Sequence, residues 1–253
     1  MSHGLSRVVF ALLALAPAMW GQRAAAEPPS KPGEPAPARQ LGGPWMLRAT
    51  DANRAFYLFT FSKEGPEMTP WAQEKFKQAK ASNTGAYTLD TTNDPVLTRC
   101  APPGTPRVYF HPYPFEFIKA SDKLTLMIFE YDHTIRRIYT DGRPIPDDPD
   151  LTWMGSSFGH WENDDTFVVE TVGLNDKTWL DRAGHPHSDK LRVTERFTRV
   201  DRDHLQIEFT MTDPVALVKP WKSAIFNAEL RPKWELGEIS CSGDYLDFSK
   251  FEK

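Results

Sequence analysis

The stretch that decides the fold is Leu191-Arg192-Val193-Thr194-Glu195-Arg196-Phe197-Thr198, followed a short turn later by Leu205-Gln206-Ile207-Glu208-Phe209-Thr210-Met211. Apolar and polar residues alternate in both segments, which is the period of a β-strand with one buried face. The polar turn Asp201-Arg202-Asp203 between them is typical of a short connection between strands. The two segments therefore predict neighbouring strands whose apolar faces line a core.

The same period of two recurs on both sides of this pair. Further strands are predicted at residues 115–118, 124–129, 135–140, 166–172, 224–230 and 234–239. Roughly ten short strands without alternating helices predict an antiparallel β-barrel or β-sandwich, and a closed barrel of about eight or more strands can hold one small ligand. One helix is predicted, with Thr69 before Pro70 at its start and residues 71–81 as its body, packed across one end of the sheet.

The composition limits the class of protein. The 253 residues are 40% hydrophobic and 25% charged, which is the balance of a soluble globular chain. The formal net charge of −4 argues against a nucleic-acid partner, and no apolar run is long enough for a transmembrane helix. Aromatic residues make up 12% of the chain and suit a strand-rich protein with a large apolar interior.

The N-terminal segment has the features of a targeting sequence. Arg7, an apolar stretch over residues 8–20 and the small residues 24–26 predict a signal peptide over residues 1–26, with a disordered N-terminus as the alternative. Residues 27–44 form a Pro-rich spacer, and residues 45–253 are predicted to be a single barrel domain. The protein is thus expected to be periplasmic or secreted, without a membrane anchor.

Two cysteines, Cys100 and Cys241, leave two alternatives open. In an oxidising compartment they can form a disulfide that closes a long loop, or they remain two buried free thiols. Their spacing matches neither a zinc site nor a redox pair.

Glu195 is the residue that breaks the apolar pattern most clearly. Its neighbours two positions away are Val193 and Phe197, so its carboxylate is predicted to point inward. Arg137, between Ile135 and Tyr139, is interpreted in the same way. A buried carboxylate must be paired, protonated or functional, so the two side chains form either a structural ion pair or part of a ligand site.

Two polar stretches supply acid–base candidates. Residues 131–143 contain Tyr131, His133 and Tyr139, and the loop that follows residue 180 contains His185-Pro186-His187. A histidine oriented by a carboxylate can transfer protons near neutral pH, although His133 is equally well explained as a surface residue. The pair of loop histidines lacks the third ligand spacing of a metal site, so no metal is predicted, and no nucleotide or dinucleotide motif predicts a cofactor.

Aromatic and histidine side chains beside these stretches are candidates for a substrate-binding wall, with core packing as the alternative for the tryptophans. They are Trp153, His160, Trp161, Trp179 and His185.

Three long motifs, at residues 131–143 (YDHTIRRIYTDGR), 153–162 (WMGSSFGHWE) and 177–189 (KTWLDRAGHPHSD), resemble a large group of uncharacterised secreted bacterial proteins. The similarity covers about residues 95–253. The resemblance implies a lipocalin-like, calycin-type barrel and brings no catalytic residues that can be transferred. Asn163-Asp164-Asp165 departs from the Glu-Gly-Asp turn expected in that group.

The sequence is compatible with three functions. The first is a cofactor-independent lyase or isomerase, for example one performing retro-aldol cleavage, that acts on a small hydrophobic or aromatic molecule in a barrel cavity. In this version His187 or His133 transfers a proton, assisted by Glu195 and the phenols of Tyr131 and Tyr139, and Arg137 stabilises the developing oxyanion. The second is a lipocalin-type binding protein without catalysis, and the third is a structural or partner-binding module.

Overall fold

The computed structural model describes residues 36–82, 88, 90–239 and 241. The predicted signal peptide and the first part of the Pro-rich spacer lie outside the described residues. The strands are β1 Gly43–Arg48, β2 Phe115–Ser121, β3 Leu124–Phe129, β4 Thr134–Tyr139, β5 Ser156–Trp161, β6 Thr166–Val172, β7 Arg192–Arg199, β8 His204–Thr212, β9 Trp221–Lys222 and β10 Phe226–Leu230. The first strand therefore begins at Gly43, just inside the segment predicted as spacer.

Nine of these strands close into a barrel. The strands β1 to β8 follow one another around the sheet, and β10 pairs with both β8 and β1 to complete the ring, while the short β9 pairs with β8 beside it. Strands β4 and β5 run parallel, and the other pairs of the ring are antiparallel. A ring with an odd number of strands cannot alternate direction throughout, so one parallel pair is a geometric requirement of this closure.

The β7–β8 hairpin has the predicted register. Val193 lies opposite Met211, Glu195 opposite Phe209, and Phe197 opposite Ile207. All six side chains are buried, so the alternation in the sequence correctly marks the inward face. The all-β, calycin-like barrel predicted from the strand pattern and the resemblance is confirmed.

Some elements differ from the sequence-based expectation. The sequence pattern does not predict strands β1, β5 and β9. Residues 234–239, predicted as a strand, form none, and only Ile239 makes a bridge, to Tyr131. Trp234 is instead exposed and lies against Arg231, whose guanidinium is 5.6 Å from the indole centroid. Alternation of apolar residues is insufficient where no neighbouring strand is available to pair with the backbone.

Helix α1, Pro70–Lys77, begins where the sequence predicts. The hydroxyl of Thr69 accepts a hydrogen bond from the backbone N–H of Ala72 at 3.3 Å, which is the expected N-cap. The helix ends earlier than predicted because Asn93 binds the chain beyond it, accepting from the Lys80 N–H at 2.7 Å and donating to the Gln78 carbonyl at 2.8 Å.

A second helix, α2 (Pro95–Arg99), adds to the predicted one. It is capped by Asp94, whose carboxylate accepts from the Val96 N–H at 3.0 Å. A 3-10 turn, Arg107–Phe110, follows and carries four buried side chains into the barrel end. Cys100 directly follows α2 and is bonded to Cys241, with Cα atoms 5.4 Å apart, so the disulfide alternative is the one the structure shows.

Candidate functional site

The barrel interior contains a buried ion pair between Arg136 of β4 and Glu195 of β7. Only 1% of the arginine side chain and 0% of the glutamate side chain are exposed. The pair is bidentate: Nη1 donates to Oε1 at 2.8 Å, and Nη2 donates to Oε2. Such a geometry is the strongest form of arginine–carboxylate contact.

Neighbouring hydroxyl groups complete the hydrogen bonding of this ion pair. The Arg136 Nε donates to Ser157 Oγ at 2.9 Å, and Nη2 also donates to Thr171 Oγ1 at 2.6 Å. The phenol of Tyr109 donates to Glu195 Oε1 at 2.7 Å and accepts from Arg136 Nη1 at 3.4 Å. Every N–H of the guanidinium therefore has a partner, and the carboxylate is held on both oxygens.

The phenol of Tyr109 is not poised to lose its proton. Burial raises its pKa well above the usual value, and the nearby charge of Glu195 raises it further. Its ring packs edge-on against Phe115, Phe129 and Phe209, with centroids 5.0–5.6 Å apart. Together with Arg136 and Glu195, these rings occupy the barrel interior, and the cluster has the character of a satisfied structural network.

The prediction that Arg137 points inward is wrong. Arg137 is exposed, whereas Arg136 and Ile138 are buried. In the sequence Ile135-Arg136-Arg137-Ile138 each face of the strand receives one isoleucine and one arginine, so the alternation alone does not distinguish the two phases. Glu195 does pair with an arginine, but this arginine is Arg136. Arg137 lies on the opposite face of β4 and therefore does not form an oxyanion site with Glu195.

The other candidates from residues 131–143 lie away from the interior. His133 is exposed in the turn between β3 and β4, with a φ of 47°. Tyr131 stacks on His111 at 3.7 Å, and burial raises the pKa of its phenol to about 12. Tyr139 lies under the guanidinium of Arg143, 4.0 Å from its ring centroid. The proposed grouping of Tyr131, His133 and Tyr139 with Glu195 is therefore not present in the structure.

Two of the β5 candidates point to opposite faces. His160 is exposed on the outside of the barrel, and Trp161 packs partly buried against Phe167 at 5.1 Å. Trp153 lies half-buried in the segment before β5. These positions favour core packing for Trp161 and remove His160 from any interior wall.

Trp179 and His187 do share one pocket. It has a volume of about 240 Å³ and lies where α1, the end of α2 and the connection between β6 and β7 meet. The residues that matter for its chemistry are Lys75, Arg99, Asp176, Lys177, Trp179 and His187. The long β6–β7 connection is the kind of segment that carries functional side chains on a rigid barrel.

His187 is held in one tautomer. Its Nδ1 lies 3.0 Å from the carbonyl oxygen of Ser188, so Nδ1 carries the hydrogen and Nε2 carries the lone pair. Ser188 is itself fixed by Asp213, which accepts from its backbone N–H at 2.6 Å and from its hydroxyl at 2.8 Å. Burial lowers the pKa of His187 below the ordinary value, although the Ser188 carbonyl and Asp213 oppose this shift. The imidazole is therefore neutral at neutral pH, with the acceptor lone pair on Nε2.

His185 has a different environment. Its Nδ1 donates to Asp181 Oδ2 at 2.7 Å, and the other oxygen of Asp181 accepts from the backbone N–H groups of residues 183–185. The imidazole stacks flat on Phe76 of α1, with centroids 4.7 Å apart. The contact between His185 and Phe76 attaches the β6–β7 connection to α1. It therefore helps to position the side of the pocket that α1 forms.

Sequence reasoning missed several residues of this region. Arg107, buried in the 3-10 turn, is ion-paired with Asp94 and holds its guanidinium 5.4 Å from the centroid of Trp179. The signal for Asp94 was present, since Asp followed by Pro is a helix start. Nothing in the local pattern marks Arg107 or Tyr109, because an irregular segment has no period.

No protein-family model, no curated protein and no solved structure matches this chain. Within the described ranges, no three His, Cys, Asp or Glu side chains are grouped closely enough to hold a metal ion. None of the helices formed by the described residues has the length and hydropathy needed to cross a bilayer.

Proposed function

We propose that the protein binds a small aromatic molecule in the pocket lined by Trp179 and His187, and that His187 exchanges a proton with this molecule. The protein would then be a cofactor-independent acid–base enzyme of the lyase or isomerase type. The observation that carries the proposal is the neutral, tautomerically fixed imidazole beside an indole in a preformed concave site. The residues that line the site come from α1, the region of α2 and the β6–β7 connection, and none of them lies in a strand of the barrel.

The chemistry of one such reaction follows from the lone pair on Nε2. In a retro-aldol cleavage, His187 takes the proton of a hydroxyl group, the adjacent C–C bond breaks, and the electron pair moves to the neighbouring carbonyl as an enolate. Among the cations that line the pocket, Lys75 provides positive charge that stabilises this enolate. The proton then returns from the imidazolium to the enolate carbon.

The second candidate function is a lipocalin-like binding protein for a hydrophobic ligand. The barrel with its buried aromatic cluster is compatible with this version, and the Arg136–Glu195 pair then has a structural role only. Both versions use a barrel expected to lie in the periplasm or outside the cell.

The two functions are separated by turnover. The protein is incubated with a library of small aromatic compounds, and products are detected by mass spectrometry. For any substrate found, we expect His187→Gln to abolish turnover while binding measured by calorimetry persists, and Trp179→Ala to weaken binding. His160→Gln, an exposed histidine on β5, is the matched control.

The pH dependence provides a second readout. Because burial lowers the pKa of His187, its basic form persists below the ordinary histidine value of about 6.5. Turnover is therefore expected to remain high as the pH falls past 6.5 and to decline only at lower pH. Unchanged turnover in His187→Gln would show that His187 is not the base, and binding without any product across the library would favour the binding protein.

A further inference from the structure

The pocket has more positive charge than the rest of the protein would suggest. Lys75, Arg99 and Lys177 line it, against the single carboxylate of Asp176, and His187 is neutral there. The whole chain has a formal net charge of −4. A local excess of cations on an acidic protein attracts an anion to this place.

None of the three cations has a counterion among the described residues. Neither Arg99 nor Lys177 forms an ion pair with any residue that the structure describes, and Lys75 lies only over the ring of Trp71, at 5.2 Å. Several other exposed cations are paired, such as Arg196 with Glu162. Within the described ranges no carboxylate is paired with Arg99 or Lys177, so both side chains can contact a ligand.

A second concave site offers an internal comparison. It has a volume of about 180 Å³, and its charged lining consists of Asp147, Asp148, Asp189, Lys190 and Arg192. Carboxylates outnumber cations there, so the excess of positive charge is not a general property of concavities on this protein. It belongs to the pocket that also contains the indole and the imidazole.

We propose that the ligand of the Trp179 pocket is a single-ring aromatic carboxylate, with its ring against the indole and its carboxylate held by Arg99 and Lys177. This inference rests on the proposed function and specifies its substrate class. The volume of about 240 Å³ is below the roughly 300–1,000 Å³ of sites for drug-sized molecules, so one ring fits better than two. The carboxylate supplies the negative charge that neither Arg99 nor Lys177 receives from the described residues.

The test compares a charged probe with a neutral one of similar size. Binding of benzoate and of benzyl alcohol to the full chain is measured by calorimetry at low salt. Wild-type protein is expected to bind benzoate about fivefold more tightly or better, since two exposed charge contacts contribute on this order. Added salt should reduce the difference by screening.

In the variant Arg99→Gln/Lys177→Gln, the affinities for benzoate and benzyl alcohol should become similar. The control Lys190→Gln/Arg192→Gln makes an equal change of charge at the second site and should keep the preference for benzoate. Equal binding of both probes by wild type, lost in Trp179→Ala, would overturn the carboxylate inference and leave the aromatic site standing. Binding of neither probe at millimolar concentration would overturn both.

Discussion

At the scale of the residue, Arg136 and Glu195 show what a strand pattern can and cannot determine. Glu195 was placed correctly because Val193 and Phe197 flank it and leave no doubt about the face. Its partner was placed one residue too late because β4 carries arginines on both faces. Arg136 is the favourable inward arginine because all five of its guanidinium N–H groups find acceptors there. These acceptors are in place only after β5, β6 and the 3-10 turn have assembled around it.

The first prediction concerns the stability of this pair. Glu195→Gln removes the carboxylate and leaves the guanidinium of Arg136 buried without a counterion, so the free energy of unfolding should fall by about 3–5 kcal/mol. Arg136→Met leaves the carboxylate unpaired and should have an effect of similar size. Urea denaturation followed by circular dichroism measures both.

Arg137→Met is the matched control, since it makes the same change on the exposed face of the same strand. We expect a change within about 0.5 kcal/mol. If Arg137→Met were as destabilising as Arg136→Met, the assignment of the inward arginine would be wrong.

At the scale of the element, long alternating segments were predictable and short ones were not. Strands β7 and β8 follow from the sequence because eight or nine alternating residues exceed what chance provides. Strand β5 (SSFGHW) escaped prediction because a serine and a glycine occupy its inward positions. Its Ser157 binds Arg136 and its Gly159 gives space to neighbours, so both residues are explained by contacts that lie far away in the sequence.

Gly159 supplies the second prediction. A Cβ atom at this position would lie 2.5 Å from Phe167 Cζ and 2.7 Å from Ile138 Cγ2, both inside the core. Gly159→Ala should therefore lower the free energy of unfolding by about 1–3 kcal/mol through overpacking at the parallel β4–β5 pair. Thermal or urea unfolding measures the change.

Gly42→Ala is the control for this substitution, because a Cβ there meets only the Phe117 carbonyl oxygen at 3.9 Å. Shortening the neighbour in Gly159→Ala/Phe167→Leu should recover part of the loss, as expected for two side chains in contact. A Gly159→Ala protein as stable as wild type would show that β5 does not approach Phe167 so closely.

At the scale of the whole molecule, the candidate site is a product of long-range assembly. Lys75 comes from α1, Arg99 from the end of α2, and Trp179 and His187 from the β6–β7 connection. The sequence identified the last two because histidine and tryptophan are conspicuous in a loop. It gave no means of joining them to Lys75 or Arg99, since nothing local relates residues that approach one another only when the barrel closes.

The Cys100–Cys241 disulfide acts on both stability and this site. It joins residues 141 positions apart, so its removal should lower the free energy of unfolding by about 5 kcal/mol in the chain-entropy model. Cys100 also directly follows Arg99, and the same link positions the end of α2 beside the pocket. Cys100→Ser/Cys241→Ser should therefore unfold at lower urea concentration and bind benzoate more weakly than wild type.

A reducing agent provides the control for this last prediction. Wild-type protein with its disulfide reduced should approach the stability of the double variant, whereas the variant itself should not respond. Equal stability of the two proteins under oxidising conditions would mean that the bond contributes little to the fold. Weaker benzoate binding at a temperature where both proteins remain folded would show that the disulfide also holds Arg99 in place, since lost stability alone leaves the affinity of the folded state unchanged.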